Sequence, residues 1–415
     1  MLNTPLSLRR FTPDAQLLIV ASGIFAVSFF GVQQLLKILY LIRLGYDLPY
    51  IGIFSATGSL AYMTMSLPSG LIGSRFGNRS VMLGGGIVTI LGMTLLPMIE
   101  YLPDDWRYWV PLLAQTLVSG GWAFFNISMV PALMTVSTAQ NRNAAFALSS
   151  TLRGLGTFIG TMVGGVLPSL FALLLSQSVD QPAPYRYALF VGAVLGLGGL
   201  VPILRMQRAG TVTKATQEDE EPEAPFPVIP MALLILHVYL GNSTAALCQT
   251  FCSAYMDTEL QLSTAFIGLL TGIGQFVAIL APLIAPRLAA RYGNGWILMT
   301  TTGAAALSML PLIYAQNWLG AGATRLGILA LSAMWMPALQ VYQMELVTKR
   351  WRSLGYGILS MGMSLTFTSV SVTGGYIATE WGYQSLFLIG VVLSSLGSML
   401  MWGMMRAGKL RLQSA

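Results

Sequence analysis

The 415-residue sequence predicts an all-α integral membrane protein whose twelve transmembrane helices form two pseudo-symmetric six-helix bundles, and three observations carry that prediction. Hydrophobic residues make up 55% of the chain and charged residues only 9%, against about one-quarter charged in soluble domains. Twelve apolar runs come close to or exceed the roughly 20 residues that a spanning helix needs. The chain also repeats itself. A shift of 216 residues carries Ile51 onto Ile267, Gly52 onto Gly268, Gly58 onto Gly274, Arg75 onto Arg291, Gly77 onto Gly293 and Asn78 onto Asn294.

The runs lie near 15–43, 50–72, 80–99, 108–136, 145–173, 185–205, 229–256, 263–289, 296–315, 320–346, 354–379 and 383–405. Each reads as a helix, because strands of a membrane barrel are about half as long and alternate in polarity. The first follows Arg9 and Arg10 as a signal peptide would, but it is too long for an apolar signal core and shows no convincing small-residue cleavage site, so it is kept as a helix. Between the sixth and seventh runs lies the longest polar stretch, 205–230, with the acidic block Glu218, Asp219, Glu220, Glu221 and Glu223. It reads as a solvated cytoplasmic linker. The expected organisation is a bundle over 1–205, a linker over 206–228 and a second bundle over 229–415. Farther along, Pro131-Ala132-Leu133 returns as Pro337-Ala338-Leu339 and Gly164-Gly165 as Gly374-Gly375, at slightly different offsets that loop insertions explain.

Orientation follows from the basic residues. With the N-terminus inside, 16 of the 22 fall on the cytoplasmic side. Arg43, Arg107, Arg186 and Arg325 fall outside, and Lys37 and Arg153 lie within helices. Both termini are therefore expected in the cytoplasm of a multi-pass cell-membrane protein. The net charge of +7 is then a product of topology. No basic stripe interleaved with aromatics points to nucleic acid, and the expected partners are the lipid bilayer and a small-molecule solute, with the chain acting as a monomer.

The segment GLIGSRFGNR at 70–79 ends an apolar run, yet packs two arginines and three glycines, and it returns as PRLAARYGNG at 286–295. The order of spans, the central linker and this loop resemble the major facilitator superfamily across nearly all of the chain. That family's loop motif reads G-x-L-a-D-r-x-G-r-k. Here Gly70, Ile72, Arg75, Gly77 and Arg79 match, Ser74 replaces the aspartate, and the second copy offers Ala290 there beside Arg291 and Gly293. The resemblance implies two parallel repeats related by an axis along the membrane normal, a gating role for Gly70, Arg75, Gly77, Arg79, Arg291 and Gly293, and a cytoplasmic latch that is weaker or built differently without the acid. The family's fifth-helix pattern G-x-x-x-G-P-x-x-G-G resembles Gly156, Gly160, Gly164 and Gly165, with Thr161 in place of proline. Small residues at that spacing are equally well explained by close helix packing. The fourth-helix R-x-x-q-G signature of proton-coupled drug exporters is absent, Thr116, Ser119 and Gly120 standing there.

Ionisable groups at membrane depth are costly, so each is a candidate for function. Arg153 lies ten residues past Asn143, about 15 Å along a helix, and no acid in its own helix can pair with it. It reads either as an anchor for an anionic or strongly polar part of a solute or as a structural arginine bonded to carbonyl or glutamine oxygens. Lys37 reads either as a site residue or as a side chain reaching the outer interface. Polar stripes accompany them: Gln33 and Gln34, Lys37 and Tyr40 in the first helix, and Gln115, Ser119, Trp122 and Asn126 in the fourth. The seventh carries Asn242, Gln249 and Ser253, and the tenth Trp335, Gln340 and Gln343. The resemblance implies that these four helices line the solute cavity. Amide and aromatic groups on apolar walls suit an amphipathic organic solute.

His237, the one histidine, reads as a packed side chain or a proton relay. Cys248 and Cys252 are one turn apart, but His237 is about 16 Å away along the helix, so no metal site is expected. Glu345 precedes Lys349 by four residues and reads as a helix-end ion pair. The acids outside the linker fall at loops or helix ends, which points to facilitated diffusion or exchange, or to coupling through His237. No phosphate-binding loop, nucleophile elbow or zinc-protease motif is present, so neither an enzyme nor a cofactor is expected. The leading reading is a transporter of a small organic solute working by alternating access. The alternatives are an exporter of hydrophobic drugs or lipids, for which 23 methionines offer adaptable walls, and a non-transporting sensor or assembly factor on the same scaffold.

Overall fold

A computed structural model describes residues 11–138, 141–206, 225–348 and 351–413, and every regular element among them is helical. Arg9, Arg10, Lys349 and most of the linker, with its acidic block, lie outside the described residues. In chain order the helices are α1 Pro13–Arg43, α2 Leu48–Phe76, α3 Asn78–Tyr101, α4 Asp104–Val136 and α5 Arg142–Leu175. They continue with α6 Pro182–Arg205, α7 Val228–Thr258, α8 Thr264–Leu283, α9 Asn294–Tyr314 and α10 Trp318–Leu346. The final helical run, Arg352–Gln413, is broken at Gly382 (φ 77°, ψ 164°) into α11, residues 352–381, and α12, residues 383–413. Ten described helices are long and apolar enough to cross a membrane. Counting the broken run as two and adding the 29-residue α2 gives the twelve expected from hydropathy.

The duplication is visible in the backbone. Gly77 (φ 84°, ψ 141°) and Gly293 (φ 85°, ψ 159°) turn the chain identically between α2 and α3 and before α9. Only glycine takes that conformation without a steric penalty, which is why the loop motif repeats its glycine. The same 216-residue shift carries Gly45 (φ 86°) onto Gln261 (φ 51°), both past helix ends.

By their packing the residues form two compact units. Unit 1 comprises Met1–Gly45, Thr57–Glu218 and Thr264–Gly272, and unit 2 comprises Tyr46–Ala56, Asp219–Ser263 and Ile273–Ala415. The boundary falls in the linker, and the first residues of α2 and of α8 each belong to the opposite unit.

Inside unit 1 the glycines of α5 dock on α1. A Cβ at Gly156 would overlap the carbonyl of Gly23, and one at Gly160 the carbonyl of Val27. Along this seam α1 winds as a π-helix over Ala26–Gln33, the kind of local irregularity that forms where another element intrudes on the regular ladder. In unit 2, α7 is interrupted at Asn242 (φ −86°, ψ 0°), which the 216-residue shift places on Ala26 of α1. Each unit has its own apolar core. Phe25, Phe29, Trp122 and Phe125 stand at the centre of the first, and Met231, Leu234, Trp335, Leu339 and Met401 in the second.

Candidate functional site

In unit 1 the polar residues of α4 and α5 meet. The Arg153 guanidinium donates from Nη1 to Asn126 Oδ1 (3.4 Å) and points Nη2 at Met129 Sδ (3.5 Å). Asn126 in turn donates from Nδ2 to the Tyr62 hydroxyl (3.1 Å) on α2. Arg153 is half-buried, and its Nε has no hydrogen-bond partner. No carboxylate pairs with it among the described residues. The cation is thus held by an amide, a thioether and packing alone, which orients the guanidinium without neutralising it.

The rest of the expected stripe divides. Gln115 donates to Ser119 Oγ (3.3 Å), both buried, and a Cβ at Gly58 of α2 would collide with the Gln115 amide. Trp122 is a core residue, stacked on Phe29 (centroids 4.8 Å, 18°) and Phe125 (5.2 Å, 21°). In α1, Gln33 is buried with Oε1 unpartnered, and Lys37 is 7% exposed, so its stem does not carry the ammonium out to the surface of the unit. Tyr40 leaves the stripe altogether. Its hydroxyl donates to a Glu100 carboxylate oxygen (2.8 Å), whose other oxygen pairs with Arg186 (3.0 Å).

Unit 2 holds a different set. His237 is fully buried, and its Nδ1 lies 2.9 Å from the carbonyl oxygen of Gly397 on α12. That oxygen only accepts, so Nδ1 carries the proton and the neutral ring presents Nε2 as an acceptor. The Trp335 ring lies 6.3 Å from the imidazole. Trp335 and Asn242, expected at the site from sequence, line one small cleft between α7, α9 and α10. Gln249 is exposed, although its repeat partner Gln33 is buried. Ser253 and Gln343 are buried, and Gln340 is half-buried. A Cβ at Gly355 of α11 would press on the Gln343 amide.

Two arginines expected in outer segments, Arg325 and Arg186, lie within helices. Arg325, expected in an outer segment, stands seven residues into α10, is 9% exposed, and donates from Nη1 to the carbonyl oxygen (2.7 Å) and the Sγ (3.5 Å) of Cys248 on α7. Seven residues are about 10 Å of helix, too deep for a loop residue. The signal was present, since Arg325 falls inside the tenth apolar run. Arg186 likewise sits inside α6, paired with Glu100. Glu345 accepts from Asn294 Nδ2 (2.9 Å), while Lys349, its expected partner, lies outside the described residues.

The loop motif also resolves in part. Arg79 donates from Nε and Nη2 to the carbonyls of Ile203 (3.1 Å) and Leu204 (2.7 Å), capping the end of α6, where unpaired carbonyls and the helix dipole favour a cation. Arg75 and Arg291 are exposed beside Phe76 and Tyr292. Gly70 is open to a side chain on all sides, and the Ser74 side chain is outside the described set.

Twelve spanning helices in a duplicated chain, with uncompensated polar groups buried in each half, define a polytopic membrane protein of the transporter type. The sequence model of the Major Facilitator Superfamily matches residues 18–255 and 233–412, and the chain belongs to that family. No curated protein matches it by sequence. Among solved structures it is similar to the nucleoside transporter NupG, with a TM-score of 0.73 and 14% identity over 95% of this chain and 100% of that one. A D-xylose-proton symporter aligns with a TM-score of 0.72 and 14% identity over 94% and 97% of the two chains. A peptide transporter solved with alafosfalin gives 0.74 and 15% over 95% of each. At such identities the likeness is one of fold.

Proposed function

We propose that the protein is a secondary transporter that carries a small organic solute with an anionic or strongly polar group by alternating access, with Arg153 as the anchor. The observation that supports this is the Arg153 guanidinium: deep in α5, bonded only to neutral atoms and with Nε free. A cation at membrane depth costs at least about 2.5 kcal/mol on insertion scales, and Asn126 and Met129 offset that only in part, so a ligand oxygen is its natural complement. The similar structures carry solutes as unlike as a nucleoside and xylose. The fold therefore leaves the choice of solute to side chains such as these.

A thermal-shift screen of carboxylates, phosphate esters and neutral metabolites against the wild type and Arg153→Lys tests the reading. Lysine keeps the charge and loses the planar fork, so a true ligand should stabilise the wild type more. Equal stabilisation of both proteins would remove Arg153 from the site. Apolar compounds alone stabilising the protein would favour the exporter reading, and no solute-dependent flux in reconstituted vesicles would favour a sensor. Orientation is tested alongside: a thiol-reactive probe added outside intact cells should label Ser178→Cys, exposed between α5 and α6, and not Ser80→Cys, exposed at the start of α3.

A further inference from the structure

The cleft in unit 2 exists because the second copy of the repeat is emptier than the first. In unit 1, Phe25 packs on Trp122 and Phe125 (centroids 6.3 and 4.5 Å) and against Gly86, whose absent side chain leaves room for the ring. The 216-residue shift carries Phe25 onto Gly241, Phe29 onto Ala245 and Gly86 onto Thr302, and the 206-residue shift of Pro131 onto Pro337 carries Phe125 onto Leu331. Gly241, Ala245, Thr302 and Leu331 all line the cleft, with Asn242 and Trp335. Aromatic volume has been withdrawn and a hydroxyl introduced.

Two polar atoms of the lining, Trp335 Nε1 and Thr302 Oγ1, are buried with no hydrogen-bond partner, and so is Nε2 of His237, one helical turn before the lining residue Gly241 in α7. Their residues are 5%, 2% and 0% exposed. They are close together. A Cβ on Gly241 would stand 3.2 Å from Thr302 Oγ1 and 3.5 Å from His237 Cε1, the carbon next to Nε2, and the Trp335 ring is 6.3 Å from the imidazole. The free set is one donor (the indole N–H), one acceptor (Nε2) and one hydroxyl that does either. Leaving such atoms unpaired in a core is costly. The cleft's cavity is about 10 Å³, about the room one water needs in a polar cavity.

We propose that this cleft is a binding site for a single hydroxyl oxygen, accepting from Trp335 Nε1–H and donating to His237 Nε2, with Thr302 completing the shell. The occupant is a water or the alcohol of a neutral hydroxylated solute; a charged group is unsuited, because no opposite charge lines the cleft. The site is independent of Arg153, and its failure leaves the anchor reading standing.

The test uses the full-length protein purified in glycerol-free detergent buffer. Thr302→Val keeps the shape and removes the hydroxyl. With an oxygen bound, it strips one partner from the network and Tm should fall by a few degrees; in a dry cleft, it removes an unpaired hydroxyl and Tm should stay or rise. A fall in the solute-free protein identifies water, and a fall seen only with D-xylose added identifies a solute alcohol. Gly241→Ala, whose methyl would sit 3.0 Å from Thr302 Cγ2 and crowd the oxygen out, should lower Tm in the same condition. Independently of stability, the indole N–H resonance that disappears in Trp335→Phe should have a hydrogen-bonded shift in the wild type and move in Thr302→Val. An unchanged or raised Tm for Thr302→Val with and without D-xylose, or an indole resonance at the position of a free N–H, overturns the proposal.

Discussion

Each half of the molecule holds within a helix an arginine that, among the described residues, pairs with no carboxylate, and the two are not repeats of each other. Arg153 of unit 1 is half-buried, touches Asn126 and Met129, and keeps a free Nε. Arg325 of unit 2 is almost wholly buried and ends on the carbonyl and thiol of Cys248. The 210-residue shift of Gly164 onto Gly374 puts Met363 where Arg153 stands, and the 206-residue shift puts Ser119 where Arg325 stands. The copies agree in what makes the fold, the order of helices and the turns at Gly77 and Gly293, and disagree in the polar groups. Carrying a residue from one half into the other tests each difference, and the outcomes rank by their effect on the folded protein.

Gly160→Val should do most damage. The second half has Val370 at the matching place and accommodates it at 7% exposure, whereas in unit 1 any Cβ at 160 strikes the Val27 carbonyl in the π-helical stretch of α1. Overpacking typically costs about 1–3 kcal/mol, and collision with backbone belongs at or beyond the upper end. Most of the monodisperse peak should vanish on size exclusion. A well-behaved Gly160→Val protein would mean that the two seams are equally roomy.

Next comes Arg325→Ser, the residue of the first half. It opens a cavity beside Cys248 of the kind that costs about 2–5 kcal/mol, visible as a large fall in Tm. Arg325→Met, which restores volume without charge, should recover much of the loss, as replacing buried ions by apolar side chains often does. If Arg325→Ser folded normally and lost ligand binding instead, Arg325 would be the anchor and the comparison would be reversed. A smaller change is expected from Glu100→Gln, which removes the ionic part of the Arg186 pair but leaves a hydrogen-bonding amide for Tyr40. The pair is only partly buried, so a loss of about 1 kcal/mol or less is expected, read as a modest fall in Tm that high salt diminishes.

What the sequence made legible was local or additive. Twelve hydropathy runs and the Gly77/Gly293 loop motif need no knowledge of neighbours, and they match the family and fold. The polar side chains needed neighbours. Gln33 and Gln249 are repeats of one another, yet one is buried and the other exposed, because burial depends on which helix packs across. Trp122 lies on the same face as Asn126 by helical spacing, but the aromatic rings of α1 claim it for the core. Arg325 was misplaced by reading a charge near a run's end as loop, although its partner, Cys248, is 77 residues away in sequence. The π-helical turn of α1 leaves no mark on a 3.6-residue period at all.

The smallest expected effect on stability is the most informative about function. Arg153→Met installs the residue that the second half has, Met363, which packs at the edge of an apolar core. It removes a buried cation whose Nε is unpaired and replaces it with a flexible apolar chain of similar length, leaving Asn126 still bonded to Tyr62. Tm without ligand should therefore hold or rise slightly, the pattern of sites that sacrifice stability for function. With a ligand that stabilises the wild type, the variant should lose nearly all of the shift, since neither the charge nor the fork remains. Arg325→Met should show the opposite pairing, a lower baseline with the ligand shift preserved. If Arg153→Met instead lowered Tm substantially and the remaining folded fraction still bound ligand, both arginines would be structural, and the amide stripes of α4 and α10 would be the place to look for the solute.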